Sequence, residues 1–309
     1  MNLYTAAVYT NGYRKGSAGA RYEKLNPRER EVCDSAPHVL ESFHYVGKQK
    51  FVDAMRVDGA KVFLDSGAFS AYTLGVELSI PEYCDYIQRN LDIIRVEDGV
   101  VMASVLDGIG DAQKTYENQL HMESLGVRPL PCYHFGEDPR YLEHYIRNYE
   151  YITLGGMVGG STSQLMKWLD EIWSKYLLDG SGRAKIKVHG FGITAIPIMK
   201  AYDWYSVDSS SWIQSAAFGG IVTPQWGPLS VSDKSPARHD AGQHLGNLTR
   251  IEQEQVFAML TEQGFDYERL ATVYESRAAF NIYGYMTIGD MMNHERDKIR
   301  YASLPQTLF

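Results

Sequence analysis

Three aspartates each stand at the carboxyl end of a short apolar run, where a side chain is well placed for chemistry. They are Asp65, Asp107 and Asp208. A carboxylate in such a position can attack a sugar as a nucleophile, or move a proton as a general acid or base. Asp208 is followed by three serines, and an aspartate before serine is also typical of a helix cap. One case would therefore carry little weight, but three in one chain predict a shared site.

A glycine-rich segment is a second candidate for ligand binding. The apolar run Tyr151–Leu154 leads into Gly155 and Gly156, and two further glycines follow closely. Without side chains, backbone N–H groups can approach a flat or anionic ligand closely. The segment lacks the lysine of a phosphate-binding P-loop and the spacing of a dinucleotide site. It predicts either a ligand-binding turn or a plain turn between a strand and a helix.

An aromatic side chain and two histidines complete the set of reactive candidates. Phe69 follows Asp65 across a turn of small residues, and a planar base can stack on a ring while an acid hydrogen-bonds to its edge. His134 lies close to Glu137, and His189 ends a later apolar run. The chain has no HExxH, no CxxC and no histidine pair at helical spacing. We therefore predict no metal site.

The elements that must position these residues alternate along the chain. Short apolar runs are followed by segments of helical spacing, with helix starts at Ser79 and Ser161. Eight such runs favour an α/β fold of the closed (β/α)8 type, a TIM barrel, although a doubly wound open sheet has the same local signals. TIM barrels carry their chemistry at the carboxyl ends of the strands, where the aspartates and histidines fall. The predicted strands are Leu3–Tyr9, His38–Phe43, Lys61–Leu64, Val100–Leu106, Arg128–Tyr133, Tyr151–Leu154, Lys185–Val188 and Trp204–Val207.

The pattern changes after residue 215, where an irregular stretch leads into amphipathic helices. We predict a TIM-barrel domain with a basic N-terminal arm over residues 1–215, and a C-terminal helical extension packed on the barrel over residues 216–309. A chain of 309 residues with 44% hydrophobic composition is long enough to bury both. Its three cysteines are far apart, which favours a reducing compartment over a disulfide framework. No apolar stretch is long enough to span a bilayer. We expect a cytoplasmic protein, in the host cytoplasm if a phage encodes it.

The charge of the chain is unevenly distributed. The net charge is −8, yet residues 1–30 carry +4 and the remainder −12. A basic surface beside an acidic body can steer a polyanion to one face, although a solvated charged loop has the same composition.

Three motifs together resemble the queuine tRNA-ribosyltransferase family. They are DSGAF at Asp65–Phe69, LGGMVG at Leu154–Gly159, and the late aspartate Asp208. Members of that family are TIM barrels that exchange guanine in a nucleic acid for a 7-deazaguanine, with motifs of the form DSGGF/Y and GGLAVG. Longer strings are more similar to the phage-type branch, the 7-deazaguanine DNA transglycosylases, and there the similarity runs nearly from end to end. These strings are Phe63–Tyr72, Val188–Thr194, Tyr205–Trp212, Ser235–Arg238 and Tyr274–Arg277.

The chain departs from the tRNA-modifying enzymes at three places. Those enzymes bind zinc through a CxCxxC cluster and a histidine after the nucleophile, whereas this chain has no cysteine beyond Cys132. The zinc subdomain is therefore not expected, and the similarity to the tRNA enzymes is weaker. Met157 and Val158 replace Leu-Ala in the glycine motif, and His134 stands where the tRNA enzymes have a glutamine that recognises the base.

The resemblance implies a role for each matching residue. Asp208 would attack C1′ of a deoxyguanosine, Asp65 would protonate the departing base and deprotonate the incoming one, and Asp107 would accept hydrogen bonds from the guanine N1–H and 2-amino groups. Further contacts to the base are implied for Phe69, His134, Gly155, Gly156 and Met157, with support from Ser66 and His189. Phosphate contacts are predicted for Arg14, Lys15, Arg21, Lys24, Lys234 and Arg238. The expected partners are DNA and the free 7-deazaguanine base, without a cofactor; a homodimer is left open.

Other functions fit the same residues. A TIM-barrel glycoside hydrolase would use two of the three aspartates and release a sugar without incorporating a base. The same exchange on tRNA is a second alternative. A non-catalytic module that binds DNA or nucleosides is a third, with the aspartates acting only as helix caps.

Overall fold

The computed structural model describes residues 1–17, 20–239 and 242–302. The chain divides into two compact units. The first, called the sheet unit here, comprises Tyr4–Glu23 and His38–Ser210, and the second, called the helical unit, comprises Met1–Leu3, Lys24–Pro37 and Ser211–Phe309. Residues 24–37 thus belong to the same unit as the C-terminal helices.

The sheet unit is built on a parallel sheet of seven strands, curled into a half-barrel with helices around it. The strand order is β3-β2-β1-β9-β8-β7-β6, and the helical unit contains the antiparallel hairpin of β10 and β11. The predicted α/β class is therefore confirmed. Within the described residues the strands are β1 Asn2–Ala6, β2 Val39–Ser42, β3 Val62–Asp65, β4 Val96–Glu97, β5 Val100–Val101, β6 Cys132–His134, β7 Tyr151–Gly155, β8 Lys187–Gly190, β9 Ser206–Ser209, β10 Gly220–Thr223 and β11 Gly227–Ser230.

The strand predicted over Val100–Leu106 does not form as a strand of this sheet. Its first two residues pair instead with β4, as a short antiparallel ladder. Beyond them, Ala103 makes one parallel bridge to β3, and Ser104 makes one to Leu130, just before β6. The assigned sheet therefore has seven strands rather than the eight predicted, and residues 102–105 lie between its two edge strands with single bridges on either side.

The inner face of the sheet is filled by large apolar side chains. Tyr4, Leu40, Phe63, Met102 and Tyr151 form one buried cluster, and most of them come from different strands. Parallel strands covered on both faces are typically apolar over consecutive residues, and all five residues of β7 are buried. Polar side chains therefore gather at the carboxyl ends of the strands, outside this apolar cluster.

The helices begin where capping side chains predict. Ser79, Asp111, Asp138 and Ser161 each accept a hydrogen bond from the first turn of the following helix, so the starts predicted at Ser79 and Ser161 are confirmed. None of the described helices is long and apolar enough to cross a membrane. The helices are α1 Ala20–Glu23, α2 Pro27–Ser35, α3 Phe43–Val46, α4 Gln49–Val57, α5 Ala68–Thr73, α6 Ile80–Arg89, α7 Ala112–Ser124, α8 Pro139–Asn148, α9 Thr162–Ile172, α10 Ile196–Ala201, α11 Ser211–Ala217, α12 Arg250–Glu262, α13 Tyr267–Thr272 and α14 Tyr274–Ala302, with a π-helical turn at Trp173–Leu177 and 3₁₀ turns at Pro236–His239 and Leu245–Asn247.

Two buried polar side chains connect the elements of the helical unit. Glu29 of α2 accepts hydrogen bonds from Arg269 and from the Ser276 hydroxyl, and it also closes the capping box of its own helix. Asn281 of α14 donates through Nδ2 to the carbonyls of Trp212 and Gly220 at 2.8 and 3.2 Å. Its Oδ1 accepts from the Val222 N–H at 2.7 Å. A single amide therefore links α14 to α11 and β10.

Replacement of this amide should destabilise the helical unit. Asn281→Ala removes three hydrogen bonds to the backbone, two of them buried, so we expect the free energy of unfolding to fall by about 2–4 kcal/mol. Asn293→Ala is the matched control, because Asn293 is exposed on the same helix and its loss should change stability by less than about 0.5 kcal/mol. Urea unfolding measures both variants. Equal stabilities would contradict the role given to Asn281.

Candidate active site

The three aspartates lie at or near the carboxyl ends of three segments of the sheet unit. Asp65 is the last residue of β3, Asp208 is in β9, and Asp107 follows the segment that contains Ala103. Burial, together with the negative charges of Asp107 and Asp208, raises the pKa of Asp65 to about 6, while its hydrogen bonds act in the opposite direction. The three carboxylates are therefore close enough to influence one another electrostatically.

Asp65 is surrounded by hydroxyl and amide donors. The Ser42 hydroxyl donates to Oδ2 at 2.7 Å, the Gly67 N–H donates to the same atom at 3.0 Å, and the Ser104 hydroxyl donates to Oδ1 at 3.3 Å. Gly67 has a φ of +76°, and a Cβ there would lie 2.5 Å from the Cβ of His44. The turn after β3 therefore requires glycine, and this turn brings a backbone donor onto the acid.

Asp208 is held through one of its two oxygens. Its Oδ1 accepts from the Gly192 N–H at 2.9 Å and lies 3.3 Å from His189 Nε2. Among the described residues, both of these contacts end on Oδ1, which leaves Oδ2 for a ligand. Both partners of the Asp208 side chain are therefore in the sheet unit, His189 in β8 and Gly192 just after it.

The buried ring of His189 orients the Asp208 side chain. Its Nδ1 lies 2.6 Å from the Ser206 hydroxyl, which in turn lies 2.6 Å from the Tyr151 hydroxyl. Burial lowers the pKa of His189, even though Asp208 acts in the opposite direction. The ring is therefore neutral near pH 7. Because a carboxylate only accepts, Nε2 donates to Asp208 and Nδ1 accepts from Ser206.

Asp107 belongs to a cluster with His134. The imidazole Nε2 lies 3.4 Å from Asp107 Oδ2 and 3.4 Å from Cys132 Sγ, and Nδ1 lies 3.0 Å from Glu137 Oε1. Burial would lower the pKa of His134, but the neighbouring Cys132 and Asp107 raise it well above its usual range. The other oxygen of Asp107, Oδ1, is buried and has no hydrogen-bond partner among the described residues. Glu137 Oε2 accepts from the backbone N–H of His134, while Asp138 caps α8.

The glycine motif forms the wall beside this cluster. Gly155 ends β7, and a Cβ at this position would lie 2.9 Å from His134 Cδ2 and 3.0 Å from Cys132 Sγ. Gly156 is exposed with a φ of +71°, and Met157 is buried next to it. Both glycines are therefore required by the local geometry, and the backbone at Gly156 is open to a ligand.

Phe69 and Ser66 lie on the turn that follows Asp65. Phe69 is 59% exposed at the start of α5, so its ring is free to stack on a ligand. Ser66 is buried and stabilises the turn: its N–H donates to the Ser104 hydroxyl, and its own hydroxyl accepts from the Ala68 N–H. A cavity of about 480 Å³ lies between α5 and α7 and is lined in part by Asp107.

The basic residues predicted to contact phosphates are divided between the two units. In the sheet unit, Lys15 is exposed, Arg21 donates to Asn11, and Arg14 is buried, with Nε 3.0 Å from Asp58 Oδ2. The guanidinium of Arg14 is held inside the unit, so we do not retain it among the phosphate contacts.

In the helical unit, Lys24 forms an ion pair of 2.7 Å with Glu275, and Arg238 lies 3.4 Å from Asp233. Lys234 is exposed. Exposure of the Lys15 and Lys234 side chains leaves both accessible to a polyanion.

Four contributors to the site were not identified from the sequence. They are Ser42, Ser104, Gly192 and Cys132. Ser42 ends β2, and Ser104 lies in the segment beside β3, so both occupy the kind of position that drew attention to the aspartates. Hydroxyl side chains near strand ends are therefore the sequence signal for Ser42 and Ser104.

No protein-family model matches the chain, and no curated protein matches it. Support for a function therefore comes from the residues of the site and from the motif resemblance.

Proposed function

We propose that this protein is a pentosyltransferase that exchanges guanine in DNA for a 7-deazaguanine base through a covalent aspartyl-glycosyl intermediate. One observation carries the proposal: two carboxylates of the same site have different environments. Asp65 has its pKa raised to about 6, which suits a proton donor near neutral pH, while Asp208 accepts two hydrogen bonds on one oxygen. Unequal environments of this kind are how two carboxylates take different roles.

We infer that the sheet is the core of a (β/α)8 barrel in which residues 102–105 take the place of the eighth strand. The Ser104 N–H donates to the Leu64 carbonyl at 2.9 Å, and the Val105 N–H donates to the Leu130 carbonyl at 3.0 Å. These bonds reach both edge strands of the seven-stranded sheet. They support a closed arrangement whose mouth holds all three aspartates.

In the first step, Asp208 forms a bond from a carboxylate oxygen to C1′ of the deoxyribose as the C1′–N9 bond breaks. The departing guanine takes the electron pair and receives a proton from Asp65. The products are a glycosyl ester on Asp208, free guanine and an ionised Asp65. Because Oδ1 of Asp208 is already engaged by Gly192 and His189, Oδ2 is the attacking atom.

In the second step, Asp65 removes the N9 proton of the incoming 7-deazaguanine, and the base attacks C1′. The ester bond breaks, Asp208 regains its carboxylate and Asp65 regains its proton. The exchange consumes no cofactor. The Ser42 and Ser104 hydroxyls stabilise Asp65 in its ionised form between the two steps.

The base is bound by the groups around Asp107. Its unpartnered Oδ1 accepts from the base N1–H or 2-amino group, which supplies the hydrogen bond that this buried atom otherwise lacks among the described residues. His134 contacts the base edge, Gly155, Gly156 and Met157 present backbone groups, and Phe69 stacks on the ring. A base inside a duplex must first be flipped out, and backbone contacts offset the cost of a few kcal/mol. DNA and the base would be met in the cytoplasm.

Base exchange can be tested directly. Incubation with DNA and 7-cyano-7-deazaguanine, followed by nucleoside mass spectrometry, should show the modified deoxynucleoside together with released guanine. Asp208→Asn should reduce incorporation by about 10³-fold or more, because the nucleophile is lost, and should form no adduct that survives denaturation.

Asp111→Asn is the matched control, since Asp111 is an exposed cap of α7 and asparagine caps equally well. Release of guanine without incorporation would favour a hydrolase. Incorporation into RNA alone would favour the tRNA reaction, and an adduct on Asp208→Asn would refute the nucleophile.

The first step should depend on the proton carried by Asp65. Its pKa is raised to about 6, so the proton is present below that pH and lost above it. We expect the rate of adduct formation, with no incoming base, to fall about tenfold for each pH unit above about 6. Asp65→Asn should abolish this limb together with exchange. A rate that is flat from pH 5 to 8 would rule out Asp65 as the acid.

Phosphate contacts should be visible in the salt dependence of DNA binding. Lys15→Glu and Lys234→Glu should each weaken binding and reduce the slope of log K against log salt concentration by about 0.9 for every phosphate that is no longer neutralised. Arg147→Glu serves as the control, because Arg147 is exposed on α8 and already paired with Glu143. Fluorescence anisotropy from 50 to 200 mM salt measures the slopes. Identical slopes in all four proteins would contradict these contacts.

A further inference from the structure

We propose that Asp107, Cys132 and His134 also form a binding site for a divalent transition-metal ion of the zinc class. Each residue offers one ligand atom, and the three atoms lie within 4.8 Å of one another. These ligands belong to no spaced motif, which is why the sequence predicts no metal site. They converge only through the fold: Cys132 and His134 are two residues apart on β6 and share one face of the strand, and Asp107 comes from the neighbouring segment.

The spacing of the ligand atoms fits a tetrahedral ion. Ordinary zinc bond lengths to sulfur, nitrogen and oxygen place a tetrahedral pair of ligand atoms about 3.4–3.6 Å apart. His134 Nε2 lies 3.4 Å from Cys132 Sγ and 3.4 Å from Asp107 Oδ2. An ion can therefore replace these two contacts, and the ligand atoms of the third pair, Asp107 and Cys132, lie within 4.8 Å of each other.

The groups around the ligands are those that a metal site needs. Metal-bound histidines usually donate their other ring N–H to a carboxylate, which fixes the tautomer. Glu137 Oε1 lies 3.0 Å from His134 Nδ1, and Oε2 accepts from the His134 backbone N–H at 2.9 Å. Glu137 is thus a positioning residue that leaves Nε2 free to bind the ion. Gly155 makes room for the Cys132 and His134 side chains.

The donor atoms also select the class of ion. A thiolate and an imidazole suit zinc and its neighbours, whereas magnesium and calcium prefer oxygen ligands throughout. Binding requires Cys132 to lose its thiol proton to solvent, so each bound ion releases at least one proton. Three protein ligands leave the fourth tetrahedral position open to water or to another small ligand.

The ion and the base should exclude each other. This second part of the inference rests on the proposed function, in which Asp107 and His134 contact the base. The metal site itself does not depend on that function, since its ligands are defined by the structure alone.

Cobalt(II) titration of the full chain tests the site without any assay of activity. A cobalt ion bound by Cys132 should give a thiolate-to-metal charge-transfer band in the near ultraviolet, together with visible bands of tetrahedral intensity. Cys132→Ser should lose the charge-transfer band. Cys84→Ser is the matched control, because Cys84 is the other buried cysteine of the sheet unit, and it should keep the band. Circular dichroism confirms that each variant is folded.

Glu137→Gln provides a second test that leaves all three ligands in place. It should weaken cobalt binding by about 10- to 100-fold, because the imidazole loses its carboxylate partner. Absence of the charge-transfer band in the unmodified protein, or its persistence in Cys132→Ser, would overturn the site. Loss of the band on addition of 7-cyano-7-deazaguanine supports mutual exclusion. A band that persists in excess base overturns the exclusion and the proposed base contacts, but not the metal site.

Discussion

Mutual repulsion among three carboxylates at one edge of a parallel sheet is the constraint around which the polar groups of the sheet unit are arranged. Each acid has a different set of neighbours. Asp65 accepts from two hydroxyls and one backbone amide, Asp208 from a backbone amide and a neutral imidazole, and Asp107 lies beside His134. The three acids therefore differ in their surroundings. This difference allows Asp65 to keep a proton while Asp107 and Asp208 interact with other groups.

Burial of acids in the sheet unit has a cost in stability that depends on pH. Asp65 has a pKa raised to about 6, and the buried Glu41 has one raised to about 7 by burial, although Thr10 and Tyr9 donate hydrogen bonds to it. Both acids bind a proton more tightly when folded than when unfolded. Their contribution to the free energy of unfolding is therefore fully present below about pH 4 and declines as the pH rises through 6 and 7. Near neutral pH, the fold around these acids is therefore less stable than its packing alone would make it.

Periodicity and capping identified most of the strands and helices in advance, since these signals are local. Seven of the eight predicted strands form the sheet, with ends shifted by a few residues. The eighth strand, predicted over Val100–Leu106, does not form as predicted, because Val100–Val101 pair with β4 rather than with β3. The position of Arg14 was missed for a related reason: Asp58, which binds it, is 44 residues away in the chain. The cluster of Asp107, Cys132 and His134 likewise depends on strand order, which no spacing in the sequence encodes.

Residues 102–105 are held on both sides by backbone hydrogen bonds, to Leu64 of β3 and to Leu130, and their alignment sets the register of the site. A slip of one residue in a strand-like segment exchanges the side chains on its two faces. Such a slip would turn Ser104 away from Asp65 and would shift Asp107 relative to His134. The Ser104 hydroxyl opposes it, because this group accepts from the Ser66 N–H at 3.0 Å and donates to Asp65. The Ser104 hydroxyl thus adds to the backbone hydrogen bonds that fix the distance between Asp65 and Asp107.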